Sequence, residues 1–125
     1  ENCQKTIADV EALIAAPRWQ ALFAADALCE APVVGVVRGL SVSAQIDRML
    51  ITDSHIIIAD FKTGRPPYYD EETPTTYCRQ MALYGALLAE IYPDKEIFCW
   101  LIWTQDLSER QVTAKQRADI ILTLG

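Results

Sequence analysis

The residues of this chain best suited to catalysis or metal binding are two aspartates and a lysine within apolar segments. The stretch "IIIADFKTG" ends an apolar run with Asp60 and Lys62, and Asp47 lies in the preceding stretch "AQIDRMLIT". Side chains alternate along a strand, so Asp60 and Lys62 are predicted to share one face of a sheet. Carboxylates close to a lysine are suited to holding a metal ion and stabilising a negatively charged reaction centre.

The expected hairpin brings the two aspartates together. If Asp53-Ser54 forms its turn, counting back in pairs places Asp47 opposite Asp60, with Cβ atoms about 5 Å apart. Two facing carboxylates repel, and a hard divalent cation such as Mg²⁺ or Mn²⁺ would neutralise them, with the backbone carbonyl of Phe61 within reach. The alternative that the pattern leaves open is a solvated surface network of the two aspartates and Lys62.

A second polar pair lies on a predicted helix. Gln80 and Tyr84 are four residues apart in an otherwise apolar stripe, so their side chains stack on one helix face. A buried glutamine requires a hydrogen-bond partner. The pattern is equally typical of a satisfied core pair and of a pair that supports a site.

The surrounding elements predict an α/β fold. An N-terminal helical segment, "TIADVEALIAAP", precedes three strands, "LCEAPVVGVVRG", "LSVSAQIDRMLIT" and "HIIIADFKT". A helix follows, with Thr73 as its N-cap, Pro74 at its first position and an end near Tyr92. The apolar strand "EIFCWLIWT" should then run parallel to the "HIIIADFKT" strand, and another helix should begin near Thr113. The order helix-strand-strand-strand-helix-strand predicts a mixed central sheet flanked by helices.

Composition narrows the class of protein. A chain of 125 residues that is 51% hydrophobic predicts a single domain, and no apolar run approaches the roughly 18–20 residues that span a bilayer. The net charge of −6 argues against a basic surface that grips nucleic acid unaided, although metal-binding carboxylates contribute to that charge. The four cysteines form no CxxC pair, which predicts free thiols in a cytoplasmic protein. The chain lacks an initiator Met, so we expect a fragment of a larger protein.

The ordered set of Asp47, Asp60-Phe61-Lys62 and "QMALY" (Gln80 to Tyr84) resembles the motifs of the PD-(D/E)XK nucleases, in the RecB-like branch with its QxxxY helix. The stretches "AQIDRMLITDSHIIIADFKTGRPP" and "YCRQMALYGALLAEIYP" resemble the C-terminal nuclease domain of bacterial AddA-type helicase–nucleases over roughly residues 28–104. The resemblance implies a restriction-endonuclease-like fold and Mg²⁺-dependent exonuclease or other phosphodiester hydrolysis in DNA. It also implies work on double-strand DNA ends before recombinational repair, with helicase domains of the parent chain and an AddB-type subunit as partners.

The resemblance also implies roles for single residues. Asp47, Asp60 and the carbonyl of Phe61 would be metal ligands and Lys62 the catalytic lysine, while Gln80 and Tyr84 would buttress the site. Thr63 and Arg65 are candidates for DNA contacts, and Glu30 matches a recurrent acidic position of unassigned role.

One ligand implied by the resemblance has no counterpart here. The RecB-like branch usually carries a metal-binding histidine before the first strand, but the single histidine of this chain is His55, in the hairpin turn. We expect His55 to be a solvated turn residue, the missing ligand to belong to another part of a longer protein, and this chain to be weakly active or inactive alone. Two rival functions are a catalytically silent DNA-end binding or regulatory module of the same fold, and an acidic interaction domain in which Asp47 and Asp60 lie apart.

Overall fold

The computed structural model describes residues 28–68, 71–106 and 108–124. Three strands come first, then a helix, two strands and a second helix: β1 (Leu28–Val37), β2 (Leu40–Ile51), β3 (His55–Lys62), α1 (Thr75–Ile91), β4 (Glu96–Trp103), β5 (Glu109–Val112) and α2 (Ala114–Leu122). The strands form one sheet in the order β1-β2-β3-β4-β5. Only β3 and β4 are parallel neighbours. The mixed sheet is as predicted, and the predicted N-terminal helix lies outside the described residues.

The hairpin of β2 and β3 has the predicted register. Ile51 pairs with Ile56 and Arg48 with Ala59, and the backbone N–H of Thr52 donates to the carbonyl of His55 at 2.8 Å. The turn therefore lies at Asp53-Ser54, where small polar residues favour a tight reversal.

His55 begins β3 and is less solvated than expected. Its ring is half-buried, lies edge-on to Phe98 with centroids 5.8 Å apart, and places Nδ1 3.1 Å from the hydroxyl of Thr52. The predicted solvated turn residue is therefore only partly solvated, because its ring packs back against Phe98 of β4.

Helix α1 lies across the sheet and closes the core. Met81 and Leu88 are buried against strand residues such as Ile58 and Leu101. The predicted N-terminus is one residue too early: Pro74 is the N-cap and the helix begins at Thr75, without a side-chain cap. The predicted end is correct to one residue, since α1 stops at Ile91 and Tyr92 is its C-cap.

The short strand β5 was not predicted, whereas α2 was. Strand β5 has only four residues, "ERQV", too few for an alternating pattern to stand out. Helix α2 begins after Thr113, whose side chain accepts from the N–H of Gln116 in a capping box. Helix α2 lies close to α1 at Gly85, where a Cβ atom would come within 2.9 Å of Arg117 Nε. Arg117 in turn donates to the carbonyls of Val112 and Ile97, at 2.7 and 2.8 Å.

The cysteines differ from the prediction of four free thiols. Cys29 is disulfide-bonded, whereas Cys78 and Cys99 are free. Cys99 is fully buried beneath α1, and burial raises the pKa of its thiol to about 11. Neither described helix is long and apolar enough to cross a membrane.

Candidate active site

Asp47 and Asp60 lie side by side where β2 and β3 separate. The backbone ladder between these strands ends at the pair of Arg48 and Ala59, and Asp47 and Asp60 occupy the next step. There the carboxylate Oδ2 of Asp47 accepts a hydrogen bond from the backbone N–H of Phe61 at 2.8 Å. In an uninterrupted ladder that amide would pair with the backbone of Ile46. A side chain thus replaces a backbone partner, and the strands part at the carboxylates.

The neighbouring strand is irregular at the same level. Cys29 pairs with Arg48 and Ala31 with Ile46, but Glu30, which lies opposite Asp47, is missing from the ladder. Glu30 has a φ of 52°, in the left-handed region, which costs a residue other than glycine about 1–2 kcal/mol. Such strain is held in place by surrounding structure and is frequent at functional sites. The backbone of β1 is therefore irregular at Glu30, directly opposite Asp47.

The side chain of Glu30 does not complete a cluster with the aspartates. Its Oε1 accepts a hydrogen bond from Gln45 Nε2 at 3.2 Å. Within the described ranges, no group of three or more His, Cys, Asp or Glu residues is arranged to hold a metal ion. The carboxylate pair of Asp47 and Asp60 is therefore the core of the candidate site. Glu30 contributes the irregular backbone of β1 opposite Asp47.

Burial and charge repulsion raise the pKa of Asp47 to about 6. Its partial burial is the largest cause, opposed by the hydrogen bond from the Phe61 N–H, and the adjacent charge of Asp60 raises it further. Asp60 itself is only 7% exposed. A protonated Asp47 can donate a hydrogen bond to Asp60, which also favours the protonated form of Asp47.

Lys62 is held next to this pair by three neighbours. Its Nζ lies 2.7 Å from Asp60 Oδ2 and donates to Gln80 Oε1 at 2.8 Å. The same ammonium lies 4.1 Å from the centre of the Tyr77 ring. The side chain is only 13% exposed, so its charge acts in a partly desolvated setting where ion pairing and cation–π attraction are stronger than at an open surface.

The pair of Gln80 and Tyr84 belongs to the same network. Gln80 accepts from Lys62 through Oε1, and its Nε2 donates to the Tyr84 hydroxyl at 3.1 Å. The partner of the half-buried glutamine is thus the lysine beside the carboxylates, so Gln80 and Tyr84 are not an isolated core pair. A continuous chain of polar contacts runs from Asp47 on β2 to Tyr84 on α1.

Tyr77 was not singled out from the sequence. It lies three residues before Gln80, so it shares the helix face that carries Gln80 and Tyr84, and this spacing could have identified it. Behind it stands Trp103, with ring centroids 6.2 Å apart. Trp103 is 1% exposed and pairs with Lys62 across the parallel ladder, so it fixes the ring on which Lys62 rests.

The two candidates for DNA contacts lie at the edge of the site. Thr63 is exposed directly after Lys62. Arg65 donates to Glu71 Oε1 at 3.1 Å, and its guanidinium lies 4.3 Å from the centre of the Tyr68 ring. Glu71 therefore neutralises Arg65. Arg48 is outside the site: it is 2% exposed and pairs with Ala59, on the other face of the sheet.

Arg110, on the unpredicted strand β5, holds the loop between β3 and α1. It donates to the carbonyl of Glu71 at 2.6 Å, to the carbonyl of Tyr68 at 2.7 Å and to the hydroxyl of Thr73 at 3.2 Å. One side chain thus satisfies three acceptors in the segment that follows Lys62. Arg110 therefore fixes the described parts of this segment, at Tyr68 and at Glu71 and Thr73.

The donor set fits a hard divalent cation. Asp47 and Asp60 place carboxylate oxygens in contact, and their mutual repulsion is what a cation would relieve. The backbone carbonyl of Phe61, the residue between Asp60 and Lys62, is the third candidate donor. All three are oxygen ligands, the type that Mg²⁺ and Mn²⁺ prefer.

A mixed sheet with α1 packed over paired carboxylates and a lysine defines a nuclease-type α/β domain. The sequence profile of the PD-(D/E)XK nuclease superfamily matches residues 5–120, and the chain belongs to this superfamily. Nucleases of this superfamily generally use divalent metal ions. Comparison with curated proteins gives no match.

Solved structures share the fold. A protein from Eubacterium rectale named "Putative exonuclease" is 14% identical, with a TM-score of 0.60 over 97% of this chain and 49% of its own. A second protein, named SSO0001, is 13% identical, with a TM-score of 0.51 over 98% of this chain and 59% of its own. The chain thus spans about half the length of these neighbours. The fold is restriction-endonuclease-like, as predicted. The rival in which Asp47 and Asp60 lie apart is wrong, because both carboxylates lie at the same end of the hairpin, Asp47 on the Phe61 N–H at 2.8 Å and Asp60 on Lys62 at 2.7 Å.

Proposed function

We propose that this chain is the metal-dependent DNA nuclease domain of a bacterial AddA-type helicase–nuclease, in which it cuts DNA during the processing of double-strand ends for recombinational repair. The observation that carries the proposal is the unbroken network that joins Asp47, Asp60, Lys62, Gln80 and Tyr84. Membership of a nuclease superfamily supports the reaction class. The likeness of the stretches around Asp60 and Gln80 to AddA-type domains supports the parentage.

The carboxylates of Asp47 and Asp60, with the Phe61 carbonyl, would hold Mg²⁺ or Mn²⁺. When bound, the ion supplies positive charge next to the scissile phosphate and makes a bound water more acidic. The protein prepares the site by burying both carboxylates and by using the Phe61 N–H to fix the orientation of Asp47. Below the pKa of Asp47, a proton occupies the pair and competes with a cation.

Lys62 supplies the second positive charge of the site. Its ammonium has three N–H donors, of which the contacts with Asp60 and Gln80 engage two. The third is available to a phosphate oxygen or to the attacking water. Gln80, oriented by Tyr84, and the ring of Tyr77 keep the ammonium in place, so little reorganisation is needed when charge develops on the phosphate.

Other parts of a longer protein would deliver the DNA. The net charge of −6 provides little non-specific attraction for a polyanion. Helicase domains of the parent chain and an AddB-type subunit would supply strand delivery and a basic surface. The metal-binding histidine typical of the RecB-like branch would come from the same source.

Cleavage of labelled DNA with Mg²⁺ or Mn²⁺ tests the proposal, in the longer parent protein and in this chain. Asp60→Asn removes one proposed ligand and should reduce the rate by about a hundredfold or more. Asp53→Asn is a matched control, because Asp53 is an exposed aspartate in the hairpin turn and should leave the rate unchanged. Equal rates in the two variants would contradict the proposed site.

The alternative function has a separate signature in the same assay. A catalytically silent DNA-end binding module would bind DNA but release no nucleotides with either metal, in the wild-type parent as in Asp60→Asn. Metal-dependent cleavage that is lost in Asp60→Asn excludes this alternative.

A further inference from the structure

A groove beside the proposed active site has the features of a binding site for a single nucleic-acid strand. It has a volume of about 320 Å³ and lies between Ser41–Ser43 of β2 and α1 residues that include Thr76, Arg79, Gln80 and Tyr84. Gln80 and Tyr84 also belong to the site network, so the groove and the site share a wall. We propose that this groove holds the sugar-phosphate backbone of the strand next to the cut, with Arg79 as its phosphate-binding residue. The inference rests on the proposed nuclease function and identifies where the strand lies.

One wall of the groove is a strand edge that no other strand of the described residues pairs with. Strand β2 pairs with β1 from Leu40 to Met49, but with β3 only from Arg48 to Ile51. Within the described ranges, the segment Ser41–Ser43 therefore has β1 on one side and no strand on the other. Every second residue of such an edge directs its backbone N–H and C=O away from the sheet. Outward amides on this edge are hydrogen-bond donors that suit phosphate oxygens.

The other wall is formed by α1. Thr76, Arg79 and Leu83 follow one stripe of the helix at a spacing of three and four residues, and Gln80 and Tyr84 form the adjacent stripe nearer the proposed active site. Arg79 is exposed, and among the described residues it has no ion pair and no side-chain hydrogen bond. Arg65, the sequence-based candidate, is instead paired with Glu71 and stacked on Tyr68. An arginine without an acidic partner is the better phosphate ligand, so the structure favours Arg79.

Charge distinguishes this groove from its neighbours. Among the described residues that line it, none carries a carboxylate. Two other surface grooves are lined partly by Glu71, Glu72 and Asp119, or by Asp106, which would repel a phosphate. In a chain of net charge −6, a groove with an arginine, hydroxyl groups and no acid is a local exception.

The distance between the groove and the proposed active site suits a nucleic-acid strand that extends beyond the phosphate being cut. Ser43 precedes Asp47 by four residues on β2, which corresponds to about 13 Å at the rise of a strand. That separation accommodates the nucleotides adjoining a phosphate held at Asp47. Gln80 contacts Lys62 at one end and lines the groove at the other, so the strand would pass along α1 from the groove to the lysine.

Fluorescence anisotropy with a labelled oligothymidylate of about twelve nucleotides tests this groove, in a chelator so that no cleavage occurs. Arg79→Ala should weaken binding about three- to fivefold. It should also reduce the slope of log affinity against log salt by about 0.7, the value for one lost phosphate contact on a single strand. Arg79→Lys keeps the charge and should retain most of the affinity. Lys115→Ala, which removes a positive charge from the exposed face of α2, should change neither quantity.

The outcomes separate the groove from the nuclease activity. Three results would each contradict the proposal that the groove binds a strand. They are an equal loss of affinity in Arg79→Ala and Lys115→Ala, no loss in Arg79→Ala, and no binding by the wild-type chain. If binding depends on Arg79 but the longer protein cuts no DNA with Mg²⁺ or Mn²⁺, the proposed nuclease function is wrong, and the proposal that the groove binds a nucleic-acid strand is retained. If cleavage occurs and Arg79→Ala binds DNA as tightly as wild type, the groove is not the binding site, and the proposed nuclease function is retained. Circular dichroism of each variant establishes that it is folded.

Discussion

The ammonium of Lys62 donates to the side-chain oxygen of Gln80 at 2.8 Å, and this contact joins the end of β3 to α1. Lys62 also pairs with Asp60, so the contact extends the carboxylate site from the sheet to the helix. The site is therefore not a property of the hairpin alone. Its geometry depends on how α1 packs over β3, and the predictions below test separate parts of that arrangement.

Asp47 should make the metal-free protein less stable as the pH rises. Its pKa is about 6 in the folded protein against an ordinary value of 3.8, so the folded state binds the proton more tightly than the unfolded chain. The penalty of ionising Asp47 is thus absent below pH about 4, grows between about 4 and 6, and is complete above about 6. Asp47→Asn removes this ionisation penalty. The free energy of unfolding of the variant, relative to wild type, should increase over this range in urea titrations with chelator.

Asp53→Asn serves as the control for that pH series, because it removes an exposed carboxylate of the same hairpin. Its stability relative to wild type should stay constant with pH. A difference between Asp47→Asn and wild type that is equally flat would show that Asp47 titrates normally.

Lys62 and Gln80 should be energetically coupled. Lys62→Ala leaves the carboxylate of Asp60 buried without its cation, and Gln80→Ala removes an acceptor from the ammonium. Because each change breaks the same contact, the double variant should be less destabilised than the sum of the single changes, by about 1 kcal/mol. Urea denaturation of the four proteins in the cycle measures this coupling. The pair of Lys115→Ala and Gln80→Ala, whose side chains share no contact, should be additive; equal coupling in both cycles would refute the specific link.

The Tyr77 ring should stabilise the Lys62 ammonium through its face. Tyr77→Phe retains an aromatic ring 4.1 Å from Nζ and should preserve stability and cleavage, whereas Tyr77→Leu removes it. A partly desolvated cation–π contact contributes about 1 kcal/mol. Thermal unfolding and single-turnover cleavage should both separate the Leu variant from the Phe variant. In a Lys62→Met background the gap in stability between Phe and Leu should shrink; an unchanged gap would mean that Tyr77 acts through packing alone.

Arg110 should control the loop that follows Lys62. Arg110→Ala removes the hydrogen bonds to the Tyr68 and Glu71 carbonyls and to the Thr73 hydroxyl, so amide hydrogen exchange in the loop should accelerate. Arg110→Lys should recover little of the protection, because an ammonium cannot reproduce the fork of a guanidinium. Arg65→Ala removes exposed contacts with Glu71, the Tyr68 ring and the Pro66 carbonyl, and should have a smaller effect. Unchanged exchange in Arg110→Ala would show that the loop is held elsewhere.

Much of the fold follows from local pattern. A turn at Asp53-Ser54 and strict alternation leave one register for β2 and β3, because a slip of one residue would expose every buried side chain. The long apolar periodicity of α1 and the capping box at Thr113 are likewise local signals. The sequence pattern did not predict strand β5, because four residues are too few to show alternation. It also placed the start of α1 one residue too early, at a position where the Thr73 hydroxyl accepts from Arg110 on a distant strand.

The sequence by itself determined that Asp47 and Asp60 meet and that Lys62 shares their face, because strand alternation and a tight turn act over a few residues. Only the tertiary structure decided the partner of Gln80, the place of Tyr77 under the lysine and the pairing of Arg65 with Glu71. It also decided the raised pKa of Asp47, which depends first on burial by the whole fold. These features join elements that are distant in the chain, and the distance between them is set by how the helix packs on the sheet.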